Sequence, residues 1–167
     1  MKVKRELSVA EYITNSLFEL IKVKPYSEIS INEITDNAKV HRASFYRNFS
    51  SKEDIIEKWL NRVTVNFIES SKINFKEDSF DDFFLKLFNH LSNYKKECTL
   101  IYQSGYSHLL KNQFEDSFLK YNMPRYDDYK SYFMIGGIFN VFNYWIMNGC
   151  KETPKEITNK LVNLMSK

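Results

Sequence analysis

Glycine and proline are scarce in this chain of 167 residues, at four and three, which leaves little material for hairpins or a loop-rich fold. Cys98 and Cys150 stand far apart. They form neither a disulfide framework nor a paired metal or redox spacing, and read as two thiols in a reducing compartment. No run approaches the roughly 20 consecutive apolar residues of a membrane span. The opening MKVKRELS lacks the apolar stretch of a secretion signal, so a cytoplasmic location is expected. A Gly-rich phosphate loop, a nucleophile elbow, HExxH and CxxC are all missing, and no enzyme is expected. Asp81-Asp82 and Asp127-Asp128 fall at expected helix starts, where carboxylates complement the dipole. His90, Cys98 and His108 contain no i, i+4 pair, so no metal is expected, and no cofactor either.

Apolar residues make up 43% and charged residues 27%, the balance of a soluble globular protein. Apolar residues recur at helical spacing throughout, which predicts an all-α fold of about nine helices. Ser8-x-x-Glu11, Ser30-x-x-Glu33 and Ser50-x-x-Glu53 read as capping boxes that open the first, second and fourth helices. The first carries a stripe of Val9, Ile13, Leu17, Leu20 and Ile21 and ends before Pro25. The second stops near Asn37, a short third spans His41 to Asn48, and the fourth runs to about Ser71. Further helices are expected over 79–96, 99–121 with a break, 127–148 and 153–166. Gly149 marks the stop before the last, and Thr153-Pro154-Lys155-Glu156 its start.

The net charge of +3 is unevenly spread. Residues 39–52 carry Lys39, Arg42, Arg47 and Lys52 and no acid, the N-terminal tail adds Lys2, Lys4 and Arg5, and residues 64–167 hold 13 basic and 12 acidic side chains. A local basic block on a mixed protein is the footprint of a phosphate-contacting face, or else a solvated helix face. Residues 30–49 give two short helices separated by a turn. Ile31, Ile34, Ala38, Val40, Phe45 and Phe49 form a small core that presents the second helix outward. Its outer face carries His41, Arg42, Ser44, Tyr46 and Arg47, all hydrogen-bond donors suited to a major groove.

Residues 8–60 resemble the DNA-binding domain of the TetR family, the tetracycline-repressor-like regulators. The resemblance is carried by Val40-His41-Arg42-Ala43-Ser44-Phe45-Tyr46-Arg47-Asn48-Phe49, then Ser51-Lys52-Glu53 and Ile55-Ile56, with Leu17-Phe18, Pro25-Tyr26, Ile31 and Ile34 upstream. It implies base contacts from Arg42, Ala43 and Ser44 and phosphate contacts from Tyr46 and Lys52. With Ser30, Lys39, His41 and Arg47 these complete the expected DNA-binding set. Lys39 stands where the family has glycine, which predicts a positive φ there. The expected organisation is a helix-turn-helix domain over 1–50 and a helical effector-binding and dimerisation domain over 51–167.

The run Gly136-Gly137, Trp145, Gly149, Thr153-Pro154 and Ile157 resembles the last two helices of short family members, which form a dimer interface. Gly136, Gly137, Trp145, Ile157, Leu161 and Leu164 are its expected residues. Phe84, Phe88, Tyr102, Tyr106, Phe114, Phe118 and Tyr129 either line a pocket for an apolar or aromatic effector or fill the core. The function implied is a homodimeric repressor that binds an imperfectly palindromic double-stranded operator and is released by a small effector. The alternatives are control by a protein partner, or an all-helical interaction protein that does not bind DNA.

Overall fold

The computed structural model describes residues 7–74, 78–120 and 128–165, without the side chains of Leu119, Asp128 and Ser131. Lys2, Lys4, Arg5 and Asp127 lie outside these residues. Among the described residues there are nine α-helices and no strand: α1 Val9–Ile21, α2 Ile31–Asn37, α3 Arg42–Asn48, α4 Lys52–Ser71, α5 Phe80–Ser92, α6 Lys95–Gln103, α7 Ser107–Lys120, α8 Asp128–Met147 and α9 Pro154–Met165. A single 3-10 turn, Tyr26–Glu28, lies between α1 and α2. No helix among the described residues is long and apolar enough to cross a membrane. The chain divides into two compact units between Leu60 and Asn61.

In the first unit α1, α2 and α3 pack on one another. Ile13, Leu17, Ile34, Phe45, Ile55 and Ile56 are fully buried there, each worth about 1.5–3 kcal/mol relative to exposure. The Ser16 hydroxyl donates to the Ile34 carbonyl at 2.7 Å and accepts from the Asn37 amide at 3.0 Å, tying α1 to α2. Val9 is exposed, contrary to its place in the expected stripe. It is the first residue of α1, where the chain is only entering the packed layer.

Two of the three capping boxes expected in this unit form, Ser8 with Glu11 and Ser30 with Glu33. The third opens one residue later than its spacing predicts. The Asp54 N–H donates to the Ser51 hydroxyl at 3.1 Å, and the Asp54 carboxylate accepts from the Ser50 N–H at 2.7 Å. Glu53 instead accepts from the Tyr26 hydroxyl at 3.2 Å, 27 positions away. A long-range partner has taken the carboxylate that a local box would use.

In the second unit α5 packs on α9, α6 on α7 and α8, α7 on α8, and α8 on α9. The stretches expected over 79–96, and over 99–121 with a break, form three helices, the first of which ends earlier than expected, at Ser92. One stop comes at Asn93, whose N–H donates to the His90 and Leu91 carbonyls. The other comes at Gly105, at φ +82°, with the Tyr106 N–H closing back on the Ile101 carbonyl. Apolar spacing continues through Asn93 and sets the first boundary too late, whereas Gly105 marks the second. Phe88 meets Trp145 edge-on at 5.3 Å between ring centres, and Phe67 meets Phe83 at 6.1 Å.

Candidate nucleic-acid interface

The turn that aims α3 is a helix stop made without glycine. Lys39 has φ +56°, its N–H donates to the Asp36 carbonyl, and the Val40 N–H donates to the Thr35 carbonyl. This paired closure satisfies the last carbonyls of α2 and reverses the chain. An L-residue in this conformation is strained by about 1–2 kcal/mol. The positive φ expected at Lys39 is therefore present.

α3 begins at Arg42 with His41 as its N-cap, which makes no side-chain capping bond. Seven residues give a helix about 10 Å long, which a major groove accommodates. Phe45 and Phe49 bury its inner face, their rings 5.9 Å apart. At the other end the Lys58 ammonium donates to the Asn48 carbonyl at 2.7 Å and lies over the Phe49 ring. Lys58 was not among the expected site residues. Its spacing of four from Asp54, with which it pairs at 3.0 Å, was the available signal.

With the inner face anchored, His41, Arg42, Ala43, Tyr46 and Arg47 are exposed, as are Lys39 and Ser30. The outward residues bond to one another. The Arg42 guanidinium donates to the Tyr46 hydroxyl at 3.0 Å and lies over that ring, and the Arg47 guanidinium donates to the Ser44 hydroxyl at 2.8 Å. Ser44 itself is buried. Ser30 spends its hydroxyl in the α2 capping box. Lys24 and the Ser30 groups hold the Glu33 carboxyl of that box down at about 2.

Lys52 is turned inward in part. Its ammonium donates to the Tyr26 carbonyl at 3.0 Å and the Ile29 carbonyl at 2.7 Å, and lies 4.6 Å from the centre of the Tyr26 ring. An ammonium has three N–H groups, so one remains for a phosphate.

Matches to known proteins follow the same division. Residues 13–58 match the model described as bacterial regulatory proteins, tetR family, and residues 78–167 match that of a transcriptional regulator C-terminal region. The chain belongs to the TetR family of transcriptional regulators. It is accordingly a DNA-binding regulator and not an enzyme.

Solved structures of regulators share its fold. A TetR transcriptional regulator from Streptococcus agalactiae 2603V aligns with a TM-score of 0.68 at 14% identity, over 93% of this chain and 92% of that one. The dihydroxyacetone kinase operon activator DhaS aligns at 0.64 and 17% identity, over 95% and 94%. The fatty acid degradation regulator FadR from Bacillus halodurans aligns at 0.63 and 17%, over 96% of each chain. No curated protein sequence matches.

The remaining expected residues of this TetR regulator lie in its second unit. Phe84, Phe88 and Phe118 are buried, Tyr102, Tyr106 and Phe114 half-buried, and Tyr129 is exposed. Phe114 joins Phe118 at 4.7 Å and Phe139 at 5.7 Å. Beside them the Gln113 amide donates to the Thr64 hydroxyl and to the Ser117 hydroxyl, both at 3.2 Å. Trp145, Ile157 and Leu161 lie in the protomer's own core, whereas Gly137 and Leu164 are exposed and Gly136 half-exposed. The outer side of α8 carries Tyr129, Tyr132, Phe133, Tyr144 and Met147, with Phe133 78% and Tyr144 69% exposed. Cys98 and Cys150 are free thiols, and burial pushes Cys98 up to about 12, which leaves it uncharged.

Proposed function

We propose that this regulator is a cytoplasmic homodimeric repressor that reads an imperfect palindrome through two copies of α3 and is released by a small apolar or aromatic effector. The carrying observation is the outer face of α3, where Arg42, Tyr46 and Arg47 stand exposed and hydrogen-bonded above two buried phenylalanines. In this reading Arg42 and Ala43 meet base edges and Ser44 acts through Arg47. His41, Lys39, Ser30 and the remaining N–H of Lys52 face the backbone.

The dimer face is the exposed stripe of α8, spaced by four, four, three, four and three through Tyr129, Phe133, Gly137, Asn140, Tyr144 and Met147, with Leu164 of α9 beside it. A Cβ added to Gly136 or Gly137 meets nothing within 4 Å, which supports a second helix closing against them. Trp145, Ile157 and Leu161 form the layer beneath. The effector site is the aromatic cluster of α5, α7 and α8, with Thr64, Gln113 and Ser117 as its hydrogen-bonding groups. Effector binding shifts DNA affinity only through unequal affinity for the two states.

Electrophoretic retention of genomic fragments, with the protein-to-duplex ratio measured in the retained complex, tests this reading. Two protomers per duplex, and release by a member of an aromatic compound library, are expected. One protomer per duplex, or release only by an added protein, contradicts it.

A further inference from the structure

We infer that Tyr46 is a positioning residue for Arg42, and that its hydroxyl couples phosphate binding to base reading. The inference rests on the DNA-binding role proposed for α3. Arg42 and Tyr46 lie one turn apart on the exposed side of this helix. The guanidinium donates to the phenol oxygen at 3.0 Å, with its carbon 5.6 Å from the ring centre. An arginine side chain on a surface samples many rotamers, and a base-reading arginine must be confined to one. Here the ring and the hydroxyl confine it before DNA arrives.

The direction of the hydrogen bond supplies the second half. Arginine has no acceptor, so the phenol oxygen accepts and its own O–H is left to donate. Tyr46 is 52% exposed, and no other described residue takes that proton. A phosphate oxygen is an acceptor only. Donation to it makes the phenol oxygen a better acceptor, which strengthens the bond from Arg42. The guanidinium keeps further N–H groups, enough to pair with both acceptors of a guanine. A phosphate docked in the correct register thus tightens the residue that reads the base. Arg47 is held differently, by the buried Ser44 hydroxyl on the same helix, so this coupling belongs to Arg42 alone.

The test is a double-mutant cycle on Arg42→Ala and Tyr46→Phe. The probes are the duplex that the wild-type protein enriches from a fully randomised library and a scrambled duplex of the same composition. Tyr46→Phe is expected to weaken the enriched duplex about tenfold and the scrambled duplex about threefold. In the Arg42→Ala background Tyr46→Phe is expected to cost the same factor, about threefold, on both duplexes. The Arg42 guanidinium resonance of the free protein should also sharpen or shift on Tyr46→Phe, a change that loss of a phosphate contact alone does not produce. Equal effects of Tyr46→Phe on the enriched duplex with and without Arg42 overturn the coupling while leaving the DNA-binding reading intact. A wild-type protein that enriches no sequence overturns both.

Discussion

The indole N–H of Trp145 donates to the Glu152 carbonyl oxygen at 2.9 Å. The largest side chain near the end of α8 therefore closes the α8–α9 connection and faces the protomer's own core, where it is 1% exposed. Removing it should unfold the second unit rather than merely separate two subunits. Trp145→Ala is expected to cost about 3–5 kcal/mol of stability, and Trp145→Phe about 1–2 kcal/mol, chiefly through the orphaned carbonyl. Urea unfolding at fixed protein concentration measures both.

Phe133 lies on the exposed side of α8, so its substitution should behave in the reverse manner. Phe133→Glu is expected to convert a dimer to a monomer of 20.0 kDa with helical content unchanged, since no packed neighbour is lost within the protomer. A charge on an apolar contact surface remains unpaired once the surface closes. Sedimentation velocity at micromolar concentration reads the outcome. An unchanged dimer places the contact surface elsewhere.

Much of the first unit was legible because its signals are local. Ser8 with Glu11 and Ser30 with Glu33 cap as their spacing predicts, Thr153 with Glu156 does the same in the second unit, and Lys39 takes the positive φ that its position demands. Where a distant partner competes, local reading failed. Glu53 serves Tyr26 instead of Ser50. In the second unit apolar residues surround α8 on nearly every side. Periodicity then shows that the helix is covered, but not which side its own chain covers. Trp145 and Phe133 are equally apolar in sequence and opposite in exposure.

Lys52→Ala should act on folding as well as on DNA. Its two bonds to backbone carbonyls are partly buried and charge-assisted, and their loss is expected to lower stability by about 2 kcal/mol. The salt dependence of DNA affinity should flatten by about one unit of slope per subunit. Thermal melting and salt titrations separate the two effects. A stability loss with an unchanged slope makes Lys52 a scaffold residue only.

His90 predicts a pH dependence of stability. Its Nε2 lies 2.9 Å from the Val63 carbonyl, and its ring lies between Phe67 and Tyr94. Burial lowers its pKa below the ordinary 6.5, although the carbonyl pulls the other way. The unfolded chain then binds the proton more readily, so the contribution of neutral His90 is complete above 6.5 and shrinks as pH falls through the lowered folded value. The urea midpoint should fall between about pH 7 and about pH 5, and His90→Gln should remove that part of the slope. An identical slope in the variant would exclude His90 as its source.

Selection of genomic DNA fragments by the wild-type protein and by Arg42→Ala tests the central claim most directly. The wild type should enrich fragments sharing two inverted half-sites about one helical turn apart, or a multiple of it. Arg42→Ala should relax the preference at one base pair in each half-site, at a cost of about 1–3 kcal/mol in affinity. Fragments that share no sequence, or a half-site that Arg42→Ala leaves unchanged, would contradict reading of DNA through Arg42 on α3.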